Sequence, residues 1–290
     1  MKKVIYSLVG VIALFGVQSF AAGEAQMFKI GQLDFVAVLD ASSNRGADIL
    51  LNKNSPIAKE ILSKNPNPPS STNVYIVKDK NKIILIDTGN GGNRGDAVKN
   101  MKAAGISPSQ VSAVLLTHMH GDHIGGLLDE KGAKIFANAD IYVSQTETDF
   151  WLKNPSARAA NADLAKQVVK TYGGKIKFLQ WGKETVSGIK AIKAIGHTPG
   201  HTVFEISSNG EKILVVGDIV HLIEVQTADP SLSVAYDIDP EQAAKTRAEI
   251  LKYASDNNIR IAGMHIPFSG VGKINKAKAP NRAFVFEADK

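Results

Sequence analysis

All seven histidines of this 290-residue chain fall in four short motifs. The densest is Thr117-His118-Met119-His120-Gly121-Asp122-His123. The others are His197-Thr198-Pro199-Gly200-His201, Gly217-Asp218-Ile219-Val220-His221 and Gly263-Met264-His265-Ile266-Pro267-Phe268. Imidazole and carboxylate concentrated in this way point to metal-assisted hydrolysis. His118 and His120, two apart in an extended or turning segment, can aim at one ion. Gly121 permits the tight turn that brings Asp122 and His123 round to a second ion. Asp218 has an oxygen for each. His201 would complete the first ligand set and His265 the second. Two ions about 3.5–4 Å apart clamp a water and lower its pKa toward neutrality. This set of nitrogen and oxygen ligands admits zinc first, with manganese, iron or cobalt also acceptable.

The elements that must position these groups read as short strands alternating with helices. Strand patterns cover residues 35–39, 73–77, 82–86, 112–116 and 139–144, then 176–179, 189–195, 202–207, 212–216 and 260–264. Helical patterns cover 97–104, a stretch beginning near Glu147, 157–172 and 241–254. Every candidate ligand then lies at or just beyond a strand end, where loops held by a rigid scaffold commonly carry catalytic groups. Residues 44–71 contain Pro56, Pro66, Pro68 and Pro69 and read as an irregular arm with a short helix at 57–63. Such an arm covers a pocket or meets a partner.

Composition bounds the context. Lys2 and Lys3, the apolar run 4–17 and the small residues of Ser19-Phe20-Ala21 have the order of a secretory signal peptide over 1–21. The run is shorter than the roughly 20 apolar residues of a membrane span, so no stable membrane anchor is expected. Residues 22–290 then form one α/β hydrolase domain, periplasmic or secreted. The absence of cysteine excludes disulfides, lipoprotein attachment and thiolate ligands. The formal net charge of +6 is mild and spread along the chain. Lys273, Lys276, Lys278 and Arg282 are its one loose cluster. A nucleic-acid groove is therefore not expected, and the partner is a small-molecule substrate.

The His-x-His-x-Asp-His run, with a later His, a bridging Asp and a last His, resembles the dinuclear hydrolases of the metallo-β-lactamase superfamily. Ile86-Asp87-Thr88-Gly89 fits the same pattern. The likeness extends to exported enzymes similar to methyl parathion hydrolase and acyl-homoserine lactonases, through Asp149-Phe150-Trp151-Leu152, Val186-Ser187-Gly188-Ile189-Lys190-Ala191, 197–202 and Gly217-Asp218. This resemblance implies an αββα sandwich with the site at the edge between its sheets, two divalent ions and a homodimer joined through the Pro-rich arm. It places His197 behind the metals, holding a structural hydrogen bond. Asp87 either caps its turn or, as the resemblance implies, supports the metals from behind.

His221 departs from the relatives. Acyl-homoserine lactonases carry a tyrosine in this neighbourhood, and phosphotriesterase relatives tend toward an aliphatic residue. A histidine can donate to a developing oxyanion, which favours acyl chemistry. Trp151 and Phe268 are the candidate pocket aromatics. The expected enzyme is a lactonase or esterase acting on acyl-homoserine lactones, aromatic lactones or aryl esters. A bridging hydroxide attacks the carbonyl, Asp122 passes on the proton and His221 assists the carbonyl oxygen. The alternative is a phosphotriesterase resembling methyl parathion hydrolase. A zinc β-lactamase fits less well, because it would lack the bridging Asp218 and, in one class, needs a cysteine.

Overall fold

The computed structural model describes residues 24–154 and 158–289. The signal-peptide expectation for residues 1–21 lies outside them. In the first half, strands β1 (Ala25–Ile30), β2 (Leu33–Asn44), β3 (Pro69–Asp79), β4 (Lys82–Ile86), β5 (Val111–Leu115), β6 (Asp140–Val143) and β7 (Ile176–Phe178) form one sheet in sequence order. In the second, β8 (Glu184–Val186), β9 (Ile189–Lys193), β10 (Thr202–Ser208), β11 (Glu211–Gly217), β12 (Arg260–Gly263), β13 (Val271–Lys276) and β14 (Phe284–Ala288) form the other. Helices α1 (Pro56–Leu62), α2 (Ala97–Ala103), α3 (Gly121–Ile124), α4 (Gln145–Lys153), α5 (Ala159–Tyr172), α6 (Ile223–Ala228) and α7 (Pro240–Asp256) complete the chain.

Side-chain alternation along the strands builds the layers, because successive residues of a strand point to opposite faces. Phe35, Ala37, Tyr75, Val77, Leu115, Phe204, Ile206, Ile213 and Val215 meet in the core between the sheets. Their neighbours Val36, Val38, Val74, Ile76 and Val114 face outward and pack with Met101 of α2 and with Ala162, Ala165 and Val168 of α5. On the far side, Val203, Leu214, Val216 and Ile261 pack with Ile250, Leu251 and Ala254 of α7. The molecule is thus an αββα sandwich, as the resemblance implied. Among the described residues no helix is long and apolar enough to cross a membrane.

The arm differs from expectation at its ends. β2 and β3 stay paired to Asn44↔Pro69, so their polar ends Ser42, Ser43, Ser70 and Ser71 are strand rather than loop. No apolar alternation marks them; backbone pairing carries the ladder there, and the Ser70 and Ser71 hydroxyls donate to the carbonyls of His265 and Ile266. The rest of the arm lies down on α6: Ile49, Leu50, Ala58, Ile61 and Leu62 bury against Leu222, Val225, Ala228, Leu232 and Val234. Strands β1 and β13 carry lysines, and β14 a glutamate, among their apolar residues and escape pattern reading for the same reason.

Candidate metal centre

The ligand loops all leave the sheets at one edge. The loop after β5 carries His118 to His123, the β9–β10 turn carries His197 and His201, the end of β11 delivers Asp218 and the end of β12 delivers His265. Long-range hydrogen bonds set the ring orientations. Asp87, at the end of β4, accepts from His123 Nδ1 at 2.7 Å and from Thr117 Oγ1 at 2.6 Å. Thr117 Oγ1 lies 3.0 Å from His118 Nδ1 and, with its own proton given to Asp87, accepts from that ring. His197 Nδ1 donates to Asp237 Oδ1 at 2.9 Å and His265 Nδ1 to the Ser71 carbonyl at 3.0 Å. Carboxylate and carbonyl oxygens only accept here, so each of these rings turns its Nε2 inward as the remaining ligand atom. Asp87 supports the rings from behind, as the resemblance implied.

The inward atoms converge in two groups. His118 Nε2 and His197 Nε2 lie 2.9 and 3.0 Å from His120 Nδ1, and His197 Nε2 lies 3.2 Å from Asp218 Oδ2. In the second group His123 Nε2 is 3.2 Å from Asp218 Oδ1, and His265 Nε2 is 3.2 Å from Asp218 Oδ2 and 3.4 Å from Asp122 Oδ2. Asp218 therefore stands between the groups. His123 Nε2 and Asp218 Oδ1 are buried with no hydrogen-bond partner. Buried polar atoms are seldom left so. A divalent ion in the second group would satisfy both, the first group offers a like set of donors, and the distances between ligand atoms suit tetrahedral coordination at about 2.0–2.1 Å from each nitrogen.

The two histidines flanking the Thr198-Pro199-Gly200 turn point differently from expectation. His197, expected behind the metals, turns its Nε2 toward His120 and Asp218, and His201, expected as a ligand, turns its Nε2 to the Asp218 backbone. His201 Nδ1 donates to the Ala194 carbonyl at 3.1 Å, and its Nε2 accepts from the Asp218 backbone N–H at 3.1 Å. No lone pair remains for a metal. The ring instead fixes the backbone that presents Asp218. It fits because Gly217 has φ 58° and no side chain: a Cβ there would sit 2.5 Å from His201 Nε2.

Pattern reading missed Glu147 on α4. Fully buried, it accepts from the Met119 N–H and Trp151 Nε1 through Oε1, and from Thr198 Oγ1 and the Gly200 N–H through Oε2. One carboxylate thus ties the His118–His120 loop to the His197 turn. Gly200 is required by this contact, since a Cβ there would meet the Glu147 backbone nitrogen at 2.2 Å. Asp237 was also missed. It accepts from His197 Nδ1 and Arg247 Nη2. Neither acid belongs to a local motif, so neither had a signal in the sequence.

The charges follow from this arrangement. Burial opposes protonation of His123, yet Asp218, Asp122 and Asp87 together raise its pKa well above the usual histidine value. Burial likewise opposes His197, but Asp218 and Asp237 hold it at about 9. Burial and the surrounding histidines push His118 and His120 well down. Burial pushes His201 to about 3 and His221 to about 4. Asp218 stays ionised against burial because His123, His265 and His118 surround it.

A cavity of about 540 Å³ opens onto both groups. Trp151 and His221 line it. Trp151 lies edge-on to His120 with 5.3 Å between ring centroids. His221 stacks on His265 at 4.8 Å, with its Nε2 3.3 Å from Asp218 Oδ2 and its Nδ1 buried and unpartnered. Phe268 is a correction. It packs against the core between the sheets and is not part of the cavity wall, because the turn after His265 carries it under β3 rather than out to the mouth. Its place is taken by Tyr236, whose ring lies 5.6 Å from that of His221. The arm covers one side of the cavity with Ser43 and Arg45.

Comparison with known proteins agrees with this fold. The sequence profile of the metallo-beta-lactamase superfamily matches residues 67–265. The uncharacterized protein YobT of Bacillus subtilis (strain 168) is 30% identical over 152 residues, 52% of this chain and 62% of that protein. An atrochrysone carboxyl ACP thioesterase of Passalora fulva is 25% identical over 171 residues, 57% of this chain and 44% of the relative. The chain thus spans less than two thirds of either relative. Among solved structures, the beta-lactamase-superfamily hydrolase AbOPH superposes with a TM-score of 0.85 at 30% identity, covering 93% of this chain and 99% of that one. The dizinc quorum-quenching lactonase AidC, solved with a product bound, gives 0.83 at 29% identity, with 92% and 98% covered.

Proposed function

The chain belongs to the metallo-β-lactamase superfamily, and on that premise we propose that it is an exported, metal-dependent hydrolase that opens lactones and cleaves aryl esters. The observation that carries this reading is the convergence of inward-facing ligand atoms on Asp218, with His123 Nε2 and Asp218 Oδ1 buried and unpaired, beside a neutral His221 on the wall of the same cavity. AidC, a lactonase similar over nearly the whole length, supports the substrate class.

His118, His120, His197 and Asp218 would hold one ion, and Asp122, His123 and His265 the other, with Asp218 beside both groups. Two such ions, zinc being the first expectation, supply a nucleophilic hydroxide near neutral pH and polarise the bond under attack. The protein's own residues do the rest. Trp151 and Tyr236 wall the acyl group. His221, kept neutral by burial, directs its one N–H from Nε2 toward Asp218 Oδ2 at 3.3 Å, and that N–H would pass to the oxyanion that develops as the carbonyl carbon becomes tetrahedral. Asp122 is the cluster carboxylate most open to the cavity. It carries the proton toward the alkoxide or phenoxide as the acyl C–O bond breaks, which leaves a carboxylate and an alcohol.

The test is proton release from an acyl-homoserine lactone, an aryl ester and a dialkyl aryl phosphate at equal concentration. Fastest turnover of the lactone or ester, abolished by a chelator, is expected. Faster cleavage of the phosphate would replace the reading with phosphotriester hydrolysis.

A further inference from the structure

The chain has six arginines, and they divide cleanly. Arg247 pairs with Asp237, Arg260 with Asp289 and Glu211, and Arg282 with Glu60. The other three, Arg45, Arg94 and Arg158, have no carboxylate within ion-pair distance among the described residues, and all three line the cavity over the metal centre. They come from separate segments: the end of the arm's β2 side, the loop after β4 and the α4–α5 connection. A solvated surface arginine needs no partner, and Arg94 and Arg158 are exposed. Arg45 is different. It is half-buried, its Nε is buried without a hydrogen-bond partner, and its guanidinium lies 5.9 Å from the ring centre of Tyr236, which in turn lies against His221. Its Nη1 makes a long 3.5 Å donation to the Tyr236 hydroxyl.

A half-buried guanidinium with donors left over has the geometry that takes a carboxylate or phosphate oxygen. The acids of this cavity cannot serve. Asp122 and Asp218 face the metal centre, and Asp237 is held by His197 and Arg247. We infer that the cavity selects esters or lactones whose acyl part carries an anionic group, a carboxylate or phosphate, remote from the scissile bond, with Arg45 as its principal partner and Arg94 and Arg158 drawing it in from the mouth. This rests on the hydrolase reading above and narrows its substrate class. A neutral acyl chain leaves the Arg45 donors unmatched and a cationic one is repelled.

The experiment compares aryl hexanoate, its chain-matched monoaryl adipate and an ω-phosphate analogue on the metal-loaded protein. Adipate is long enough to limit attack of the free carboxylate on its own ester. The expected ratio of kcat/KM, anionic over neutral, is about tenfold or more in the wild type for at least one of the two anions. It should fall toward unity in Arg45→Met, persist in part in Arg45→Lys, and shrink with added salt because the mouth is solvated. The exposed pair Arg94→Gln and Arg158→Gln, which does not threaten folding, should lower the ratio by about two- to threefold. Which anion carries the preference identifies the group. Equal turnover of all three esters by the wild type, or a preference untouched by every arginine variant, overturns the inference while leaving the hydrolase intact. Failure to hydrolyse even the neutral ester would instead overturn the hydrolase reading.

Discussion

The two halves of the metal centre solve the same problem differently. In one half three imidazole nitrogens converge, His118 Nε2 and His197 Nε2 lying 2.9 and 3.0 Å from the central His120 Nδ1. Around Asp122, His123 and His265, a carboxylate replaces one imidazole, and Asp87 stands behind His123. The carboxylate-rich half balances its own charge by holding a proton on His123. The imidazole-rich half is short of a cation, and only His197 is made basic, by Asp218 and Asp237. A metal therefore displaces a proton in each half, from His123 in one and from His197 in the other.

The largest effect that would break this comparison is at Asp218, which belongs to both halves. Asp218→Asn is expected to lower kcat/KM on the order of a thousandfold, with loss of bound metal by plasma emission. Retention of metal and near-normal turnover would remove Asp218 from the bridging position.

His197 and His201 come next. His197→Ala should reduce metal content from about two equivalents per chain to about one, with at least a hundredfold loss of turnover. His201→Ala should keep both equivalents but lose about 1–3 kcal/mol in urea unfolding, because the Asp218 N–H is left buried and unpaired. The reverse pattern would restore His201 as the ligand.

Smaller changes probe the support of each half. Asp87→Asn should weaken metal binding in the His123 half by about 10–100-fold, as removal of a ligand's orienting carboxylate does. Glu147→Gln should cost about tenfold in the His197 half, since the amide cannot accept all four donated hydrogens. Competition with a chromophoric chelator measures both.

The smallest effect is in pH. His201 and His221, at about 3 and about 4, lie below the 6.5 of a free histidine, so their stability is present above pH 6.5 and lost as pH falls through 4 and then 3. His197, at about 9, works oppositely: its contribution is full below pH 6.5 and lost as pH rises through 9. The chelator-treated protein should therefore show a urea midpoint that declines on both sides of about pH 6.5. Metal, by taking the His197 lone pair, should abolish the alkaline decline. An alkaline decline of equal size with metal bound would argue against His197 as a ligand.

Much of this molecule was legible before its coordinates. β4, at Lys82–Ile86, falls where its pattern predicts, and α2, α5 and α7 lie within three residues of theirs, because each buries a periodic apolar face. The loop from His118 to His123 was legible because its geometry is local: two histidines two apart, then a glycine turn. Other features were not local. The His197 and His201 rings are told apart by an aspartate forty residues away and by the backbone beneath Asp218. Phe268 follows the chain under β3 instead of facing the cavity. Glu147 joins two loops of distant sequence, and Arg45, Arg94 and Arg158 meet only because three loops end over the same hole. The sequence by itself determined the donor types, the short-range turns and the layered fold. Which lone pair points inward was decided by tertiary structure alone, since a ring's direction depends on the partner that takes its other nitrogen, and that partner comes from elsewhere in the chain.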